Sequence, residues 1–182
     1  MECDFKLQEL FSSPIEKITS SHEYFKLKSQ VKNVRFPQRQ IKFMSVIDEF
    51  GKYSAQSDQT VYLMLNIEKN EIVGILKIGP KNLFLHDKSG NLSEYKTMCI
   101  LDFCIHQVYQ RKGCGTYLMN YMLKDLNIEI EQMPIDFPST KMVNFMQKNY
   151  CLSDPIRQTN NFIVYSAYFD LVQPTHPNRR NR

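Results

Sequence analysis

No apolar run in the sequence approaches the roughly 18–20 residues of a membrane span, and Met1-Glu2-Cys3-Asp4 opens nothing like a signal peptide. Neither a spanning segment nor secretion is therefore expected. The five cysteines (Cys3, Cys99, Cys104, Cys114, Cys151) are odd in number, unevenly spaced and lack a CxxC pair. That excludes a disulfide framework and a zinc site, leaving reduced thiols of an intracellular protein. There is no internal repeat. Net charge is also scarce, with 23 Lys+Arg against 19 Asp+Glu for a formal +4. Three of those charges sit in Arg179-Arg180-Asn181-Arg182, so the rest of the chain carries +1. A nucleic-acid binder of this size would place its basic surplus on the folded part.

What is present is ordinary and sufficient for folding. The chain has 182 residues, with 42% hydrophobic and 23% charged, values that exclude wholesale disorder. A chain near ~150 residues buries roughly 68–70% of its unfolded surface, enough for one sizeable core. The pattern predicts an edge strand over 4–11, a helix over 15–28 and a helix from Pro37 to Gly51 carried by Ile41, Met44, Ile47 and Phe50. A polar loop over 53–60 leads to strands at 61–68, 72–78 and 83–86, with turns at Lys69-Asn70, Gly79-Pro80 and 87–91. Beyond them, 98–105 is an almost continuous apolar run broken by Asp102, which suits a strand buried on both faces. A helix over 113–126 with Tyr117, Leu118, Tyr121, Met122 and Leu126 on one side follows. Then come a strand over 128–135, a helix from Pro138 to Lys148, a last strand over 161–171 and a solvated tail over 173–182. A meander followed by alternating strands and helices is an α+β fold with a mixed sheet.

The chemistry concentrates where the buried strand meets the following helix. Two glycines one residue apart, Gly113 and Gly115, open that helix, with Arg111 and Lys112 just before them. Such a turn aims backbone N–H groups and the positive end of a helix dipole at one point, and glycine lets an anion approach the main chain. It is not a dinucleotide fingerprint, since a third glycine is missing, nor a Walker loop, since no Gly-Lys-Ser/Thr closes it. On shape alone it is either an anion cradle or a turn that merely starts a helix.

Gln110-Arg111-Lys112-Gly113-Cys114-Gly115 resembles the Gln/Arg-x-x-Gly-x-Gly/Ala pyrophosphate loop of the GCN5-related N-acetyltransferases. Further segments resemble the alpha-tubulin N-acetyltransferases within that superfamily. They include Cys99-Ile100-Leu101-Asp102-Phe103, Ile135-Asp136-Phe137-Pro138-Ser139, Asn160-Asn161-Phe162, Ile47-Asp48-Glu49-Phe50-Gly51 and Gly74-Ile75-Leu76-Lys77-Ile78-Gly79-Pro80-Lys81. The likeness runs from about Arg39 to Asp170. It implies a GCN5-related N-acetyltransferase fold, a mixed central sheet flanked by helices, forming a single domain over 1–172. The implied activity is transfer of an acetyl group from acetyl-CoA to the luminal lysine of alpha-tubulin, by direct attack in a ternary complex and without a metal. The implied partners are alpha-tubulin and microtubules, with neither nucleic acid nor membrane. The implied setting is a monomer in the cytoplasm, on the cytoskeleton and in cilia or flagella.

The resemblance also assigns residues. Asp136 matches the catalytic aspartate of Ile-Asp-x-Pro-Ser; by its residues alone it is a base or a cap for the next helix. Cys99 matches a second catalytic position. A free cysteine there is otherwise a small core residue, and the sequence shows no basic partner placed to activate it, so a supporting role is expected and not a nucleophilic one. Asp102 falls on the opposite strand face from Cys99 and reads as structural. The coenzyme segments are Phe103-Cys104-Ile105-His106-Gln107-Val108-Tyr109-Gln110-Arg111-Lys112-Gly113-Cys114-Gly115-Thr116 and Ser139-Thr140-Lys141-Met142-Val143-Asn144-Phe145-Met146-Gln147-Lys148. Within them Cys104 and Ile105 are expected toward the pantetheine arm, and residues 110–115 at the pyrophosphate. Cys114 reads as inert, and His106 as a loop or edge residue, not a base. Tyr150 reads as core packing, against protonation of a departing thiolate. Lys77, Lys81 and Arg111 match basic positions around the substrate groove. A substrate-contacting glutamine of the family falls at Asp58 in an ungapped match, flanked by Gln56 and Gln59. Two other readings stand beside this one: an acetyltransferase of the same superfamily acting on another protein or amine, and an inactive module that binds microtubules.

Overall fold

The computed structural model describes residues 15–19, 58–66 and 71–175. The helix expected over 37–51, the edge strand over 4–11, Gln56 and the end of the tail lie outside them. Seven strands are present: β1 (Ile15–Ile18), β2 (Thr60–Asn66), β3 (Glu71–His86), β4 (Leu92–Ile105), β5 (Ile135–Asp136), β6 (Pro155–Arg157) and β7 (Phe162–Tyr165). The described helices are α1 (Cys114–Leu126), α2 (Thr140–Tyr150) and the short α3 (Tyr168–Leu171), with single 3-10 turns at Gln107–Tyr109 and Ile130–Gln132. The strand order is β1-β2-β3-β4-β5-β7-β6. β4 pairs β5 in parallel, whereas β1 with β2, β2 with β3, β5 with β7 and β6 with β7 are antiparallel. The sheet is mixed and the class is α+β, as expected. No described helix is long and apolar enough to cross a membrane.

Several elements differ from the sequence pattern, each for a physical reason. Residues 15–18 are a strand, not the start of a helix, because they pair with Val61–Met64 of β2. Gly79-Pro80 does not break β3, which runs through 16 residues. β2 pairs β3 only as far as Ile78, so Pro80, which has no N–H, lies past the end of that ladder. The strand expected over 128–135 shrinks to Ile135–Asp136 behind a 3-10 turn. The strand expected over 161–171 stops at Tyr165 and gives way to α3. On α1 the buried stripe is Cys114, Leu118, Met119 and Met122, while Tyr117 and Tyr121 stay exposed. The turn after β3 is as expected: the Asp87 carboxylate accepts from Ser89 N–H at 2.8 Å and Asn91 N–H at 2.9 Å, and Gly90 takes φ +80°.

Two compact units divide the chain. One takes the described residues up to Ile78 together with Asp102–Leu126. Its core joins β2, buried from Val61 to Asn66, to Val73, Ile75 and Leu76 of β3 and to the buried stripe of α1. Gly74 is required by a close approach: a Cβ there would lie 2.5 Å from Ile105 Cδ1 and 3.3 Å from Leu118 Cδ2. Lys17 Nζ and Tyr62 Oη both donate to Asp125 Oδ2 at 2.6 Å, which ties β1 and β2 to the end of α1. The other unit takes Gly79–Leu101 and the described residues from Asn127. Its core gathers Leu83, Leu85, Tyr95, Cys99, Phe162, Val164 and Tyr168. The ring of Tyr95 meets those of Tyr168 and Phe169 edge-to-face at 5.4 and 5.9 Å.

The hydrogen bond from Lys17, then that from Tyr62, hold the Asp125 carboxyl below the usual carboxylate range. A lowered folded pKa contributes stability above the unfolded value near ~3.9 and loses it as pH falls through the folded one. Asp125→Asn is therefore expected to lower Tm at pH 7. The gap to wild type should close below about pH 4 in thermal melts across the acid range.

Candidate functional site

Asp136 sits where three strands determine the backbone. Ile135 is in register with Ile100 of β4 on one side and Ile163 of β7 on the other, and Asp136 faces Phe162. Ile100 N–H donates to Pro134 O at 2.9 Å, which fixes the entry to β5. Met133, Pro134 and Ile135 are buried and Asp136 is half-buried. A carboxylate is thereby carried out of the core on a rigid two-residue strand. The cap that Asp136 could have supplied belongs to another residue. Ser139 is the N-cap of α2, its Oγ accepting from Met142 N–H at 3.3 Å.

Cys99 precedes the Ile100 pair and is fully buried, with its Sγ donating to Thr97 O at 3.7 Å. Burial is the main reason its thiol is pushed up to about 12; the Lys81 ammonium opposes the shift and the Asp136 carboxylate adds to it. Lys81, Cys99 and Asp136 thus share one electrostatic neighbourhood. The opposing cation comes from β3, a different strand. It does not reverse the effect of burial, so Cys99 holds its proton at neutral pH and is not an activated nucleophile.

Along α2, Met142 and Met146 turn inward, while Lys141, Asn144, Gln147 and Lys148 are exposed and Val143 and Phe145 are half-buried. Thr140 is exposed at the first turn. Tyr150 closes the helix half-buried, its ring edge-to-face with Phe145 at 6.0 Å, and burial raises its phenol.

The glycine turn lies in the other unit. His106 N–H donates to Val73 O at 2.8 Å, and the Gln110 side chain donates to Ile105 O at 2.8 Å, so both ends of the turn are anchored to strands. Arg111 takes φ +61° and Gly113 φ +81°. These two left-handed residues reverse the chain into α1, whose first intrahelical bond runs from Tyr117 N–H to Gly113 O at 2.9 Å. Helix geometry directs the N–H groups of the first turn, at 114–116, out of the N-terminal end. No acidic residue stands in that turn. Gln107, Val108, Gln110, Arg111 and Lys112 are exposed, while Phe103, Cys104, Gly113, Gly115 and Thr116 are half-buried. Lys112 Nζ lies 5.9 Å from the Tyr109 ring, whose hydroxyl accepts from Asn66 Nδ2 at 3.3 Å. Cys114 is buried and its thiol is raised by burial, consistent with inertness.

His106 lies just past β4, in the connection to the 3-10 turn, as expected of a loop or edge residue. It is nonetheless buried at 9% exposure, and its Nδ1 has no hydrogen-bond partner among the described residues. Lys77 is half-buried and Lys81 exposed on β3. Asp58 is exposed and Gln59 half-buried just before β2. Phe137, beside Asp136, was not singled out by the sequence pattern. Its signal is an aromatic residue immediately before proline.

The fold recurs in solved structures. One described as AtaTR bound with AcCoA superposes with a TM-score of 0.58 at 14% identity, covering 87% of this chain and 96% of that one. Another, AtaT complexed with acetyl-methionyl-tRNAfMet, gives 0.58 at 10% identity, covering 86% and 95%. At such identity the likeness is one of fold. The family model described as "GNAT acetyltransferase, Mec-17" matches residues 3–182. The Alpha-tubulin N-acetyltransferase of Trichoplax adhaerens is 32% identical over 202 residues, covering 95% of this chain and 84% of that protein. That of Anopheles gambiae is 35% identical over 187 residues, covering 93% and 38%, and that of Schistosoma japonicum 44% over 124 residues, covering 63% and 46%. The chain belongs to the GNAT acetyltransferase, Mec-17 family. It spans less than half the length of the first curated relatives it matches.

Burial and pKa together give a chemical expectation. In the native protein at neutral pH, Cys99 should resist iodoacetamide while exposed Cys151 is alkylated, as read by peptide mass spectrometry.

Proposed function

We propose that the chain is an alpha-tubulin N-acetyltransferase that transfers acetyl from acetyl-CoA to a lysine of alpha-tubulin in microtubules. The observation that carries this reading is Asp136, held on β5 next to β4, the strand that carries Cys99, in a chain of this family. In this reading the protein acts as a monomer on the luminal lysine, in cytoplasmic microtubules and in cilia.

The glycine turn suits the coenzyme's pyrophosphate. Its donor set is backbone N–H at a 13-residue helix start, with exposed Arg111 and Lys112 and no acidic residue in the first turn. Residues 110–115 would hold the pyrophosphate; Lys141 and Lys148 of α2, both exposed, are assigned to the coenzyme by the family resemblance. Acetyl-CoA supplies an acetyl group activated as a thioester.

The chain's own residues then manage one proton. A lysine amine near pKa ~10.4 is almost wholly protonated at neutral pH and must lose a proton before it can attack. Asp136 accepts that proton at its carboxylate. Cys99 keeps its proton, which favours direct transfer over an acylated cysteine, and it supports the placement of Asp136. Lys77, Lys81 and Arg111, with Asp58 and Gln59 just before β2, are assigned to the protein substrate, as is Gln56, which lies outside the described residues.

Assembled microtubules mixed with acetyl-CoA and the protein should gain tubulin acetyl-lysine. Acetylation of a histone or a free polyamine in preference would favour another acetyltransferase of the superfamily. Microtubule binding without transfer would favour an inactive module. Asp136→Asn should lower turnover by about 10²–10⁴-fold, the contribution of a positioned base, and leave acetyl-CoA affinity within a factor of about two. Unchanged turnover would remove Asp136 from the chemistry, and full activity in Cys99→Ala would return Cys99 to the core.

A further inference from the structure

Phe137 carries two costs that folding does not explain. Its φ is +42°, in the left-handed region that a side chain with a Cβ disfavours, and Pro138 further restricts the residue before it toward extended backbone. The residue is 76% exposed, the highest value among the exposed large hydrophobic residues described. Neither the strained backbone nor the solvated ring stabilises the protein. Strain kept in this way marks positions that the surrounding structure over-determines for a functional reason.

The structure does over-determine it. Phe137 N–H donates to Asn161 O at 3.2 Å. Asn161 is itself left-handed at φ +68°, in a turn closed by its own N–H to Gln158 O at 3.2 Å. On one side of Phe137 stands Asp136, fixed by its pairing with Phe162; on the other, Ser139 begins α2. The chain is thus held so that an aromatic ring projects into solvent one residue from the carboxylate. A carboxylate and an exposed aromatic residue adjacent in the chain offer complements to the two parts of a lysine side chain: charge for the ammonium and apolar surface for the four-carbon stem.

We propose that Phe137 is a specificity-determining residue that seats the stem of the acceptor lysine, within its protein segment, next to Asp136. This rests on the acetyltransferase reading above and adds the feature that selects a lysine-bearing chain.

The test is steady-state acetylation of assembled microtubules at saturating acetyl-CoA, with acetyl-CoA affinity by calorimetry and Tm measured in parallel. Phe137→Gly removes the ring and relieves the backbone. Its KM for microtubules should rise about five- to tenfold, the scale of one or two stem methylenes no longer covered, with kcat within about twofold. Its acetyl-CoA affinity should be unchanged and its Tm not lowered. Phe137→Tyr should restore KM. Leu171→Ser, an exposed apolar residue on α3, should behave as wild type. An unchanged KM in Phe137→Gly, a fall in its Tm, or an equal rise in KM for Leu171→Ser would each overturn the assignment. If the wild type itself transfers no acetyl to microtubules, the acetyltransferase reading fails and takes this inference with it. Transfer by the wild type with an unaltered KM in Phe137→Gly defeats the inference alone.

Discussion

The candidate chemistry depends on a strand of two residues. Ile135–Asp136 is too short to persist unaided; it exists because Ile135 meets Ile100 of β4 and Ile163 of β7 at once. The parallel bond on one edge and the antiparallel ladder on the other leave that backbone no alternative register. Asp136 inherits its position from this clamp, as does the strained residue after it. The hydrophobic packing of Leu83, Leu85, Tyr95, Phe162, Val164 and Tyr168 keeps that part of the sheet in place.

Burial also decides what each polar group can do. Cys99 stands where a thiolate would be useful only if a cation outweighed desolvation, and Lys81 does not. The thiol therefore stays neutral, and the negative charge of the constellation is left to the half-buried carboxylate. Ser139 takes the capping duty at α2, so the helix start and the acid are separate devices three residues apart.

Local features were readable from sequence. The apolar run at 98–105 became part of β4, the Asp87–Asn91 turn closes on its own side chain, and the glycine pair starts α1. These depend on neighbours within a few residues. The errors came where distant pairing decides. Residues 15–18 satisfy a helical pattern as well as a strand one until β2 is beside them. The apolar stretch at 128–135 reads as a full strand, yet only its end reaches β4 and β7. In the site, the motif residues stood out as a pattern, but Lys81 acting on Cys99 did not. That pair spans 18 positions and exists only through the sheet. Tyr117 and Tyr121 show the same limit, since either face of an aromatic-rich helix could have been the buried one.

The anchoring of the glycine turn has a thermodynamic side. Val73 holds His106, the Gln110 amide returns to Ile105, and Gly74 lets Ile105 and Leu118 press against β3 with no side chain between. Fixing a residue's backbone costs roughly 1–2 kcal/mol, and here that entropy is lost at folding, before any anion arrives. A ligand that meets this loop encounters an arrangement already frozen, so its affinity reflects the contacts it makes with little deducted for ordering the chain.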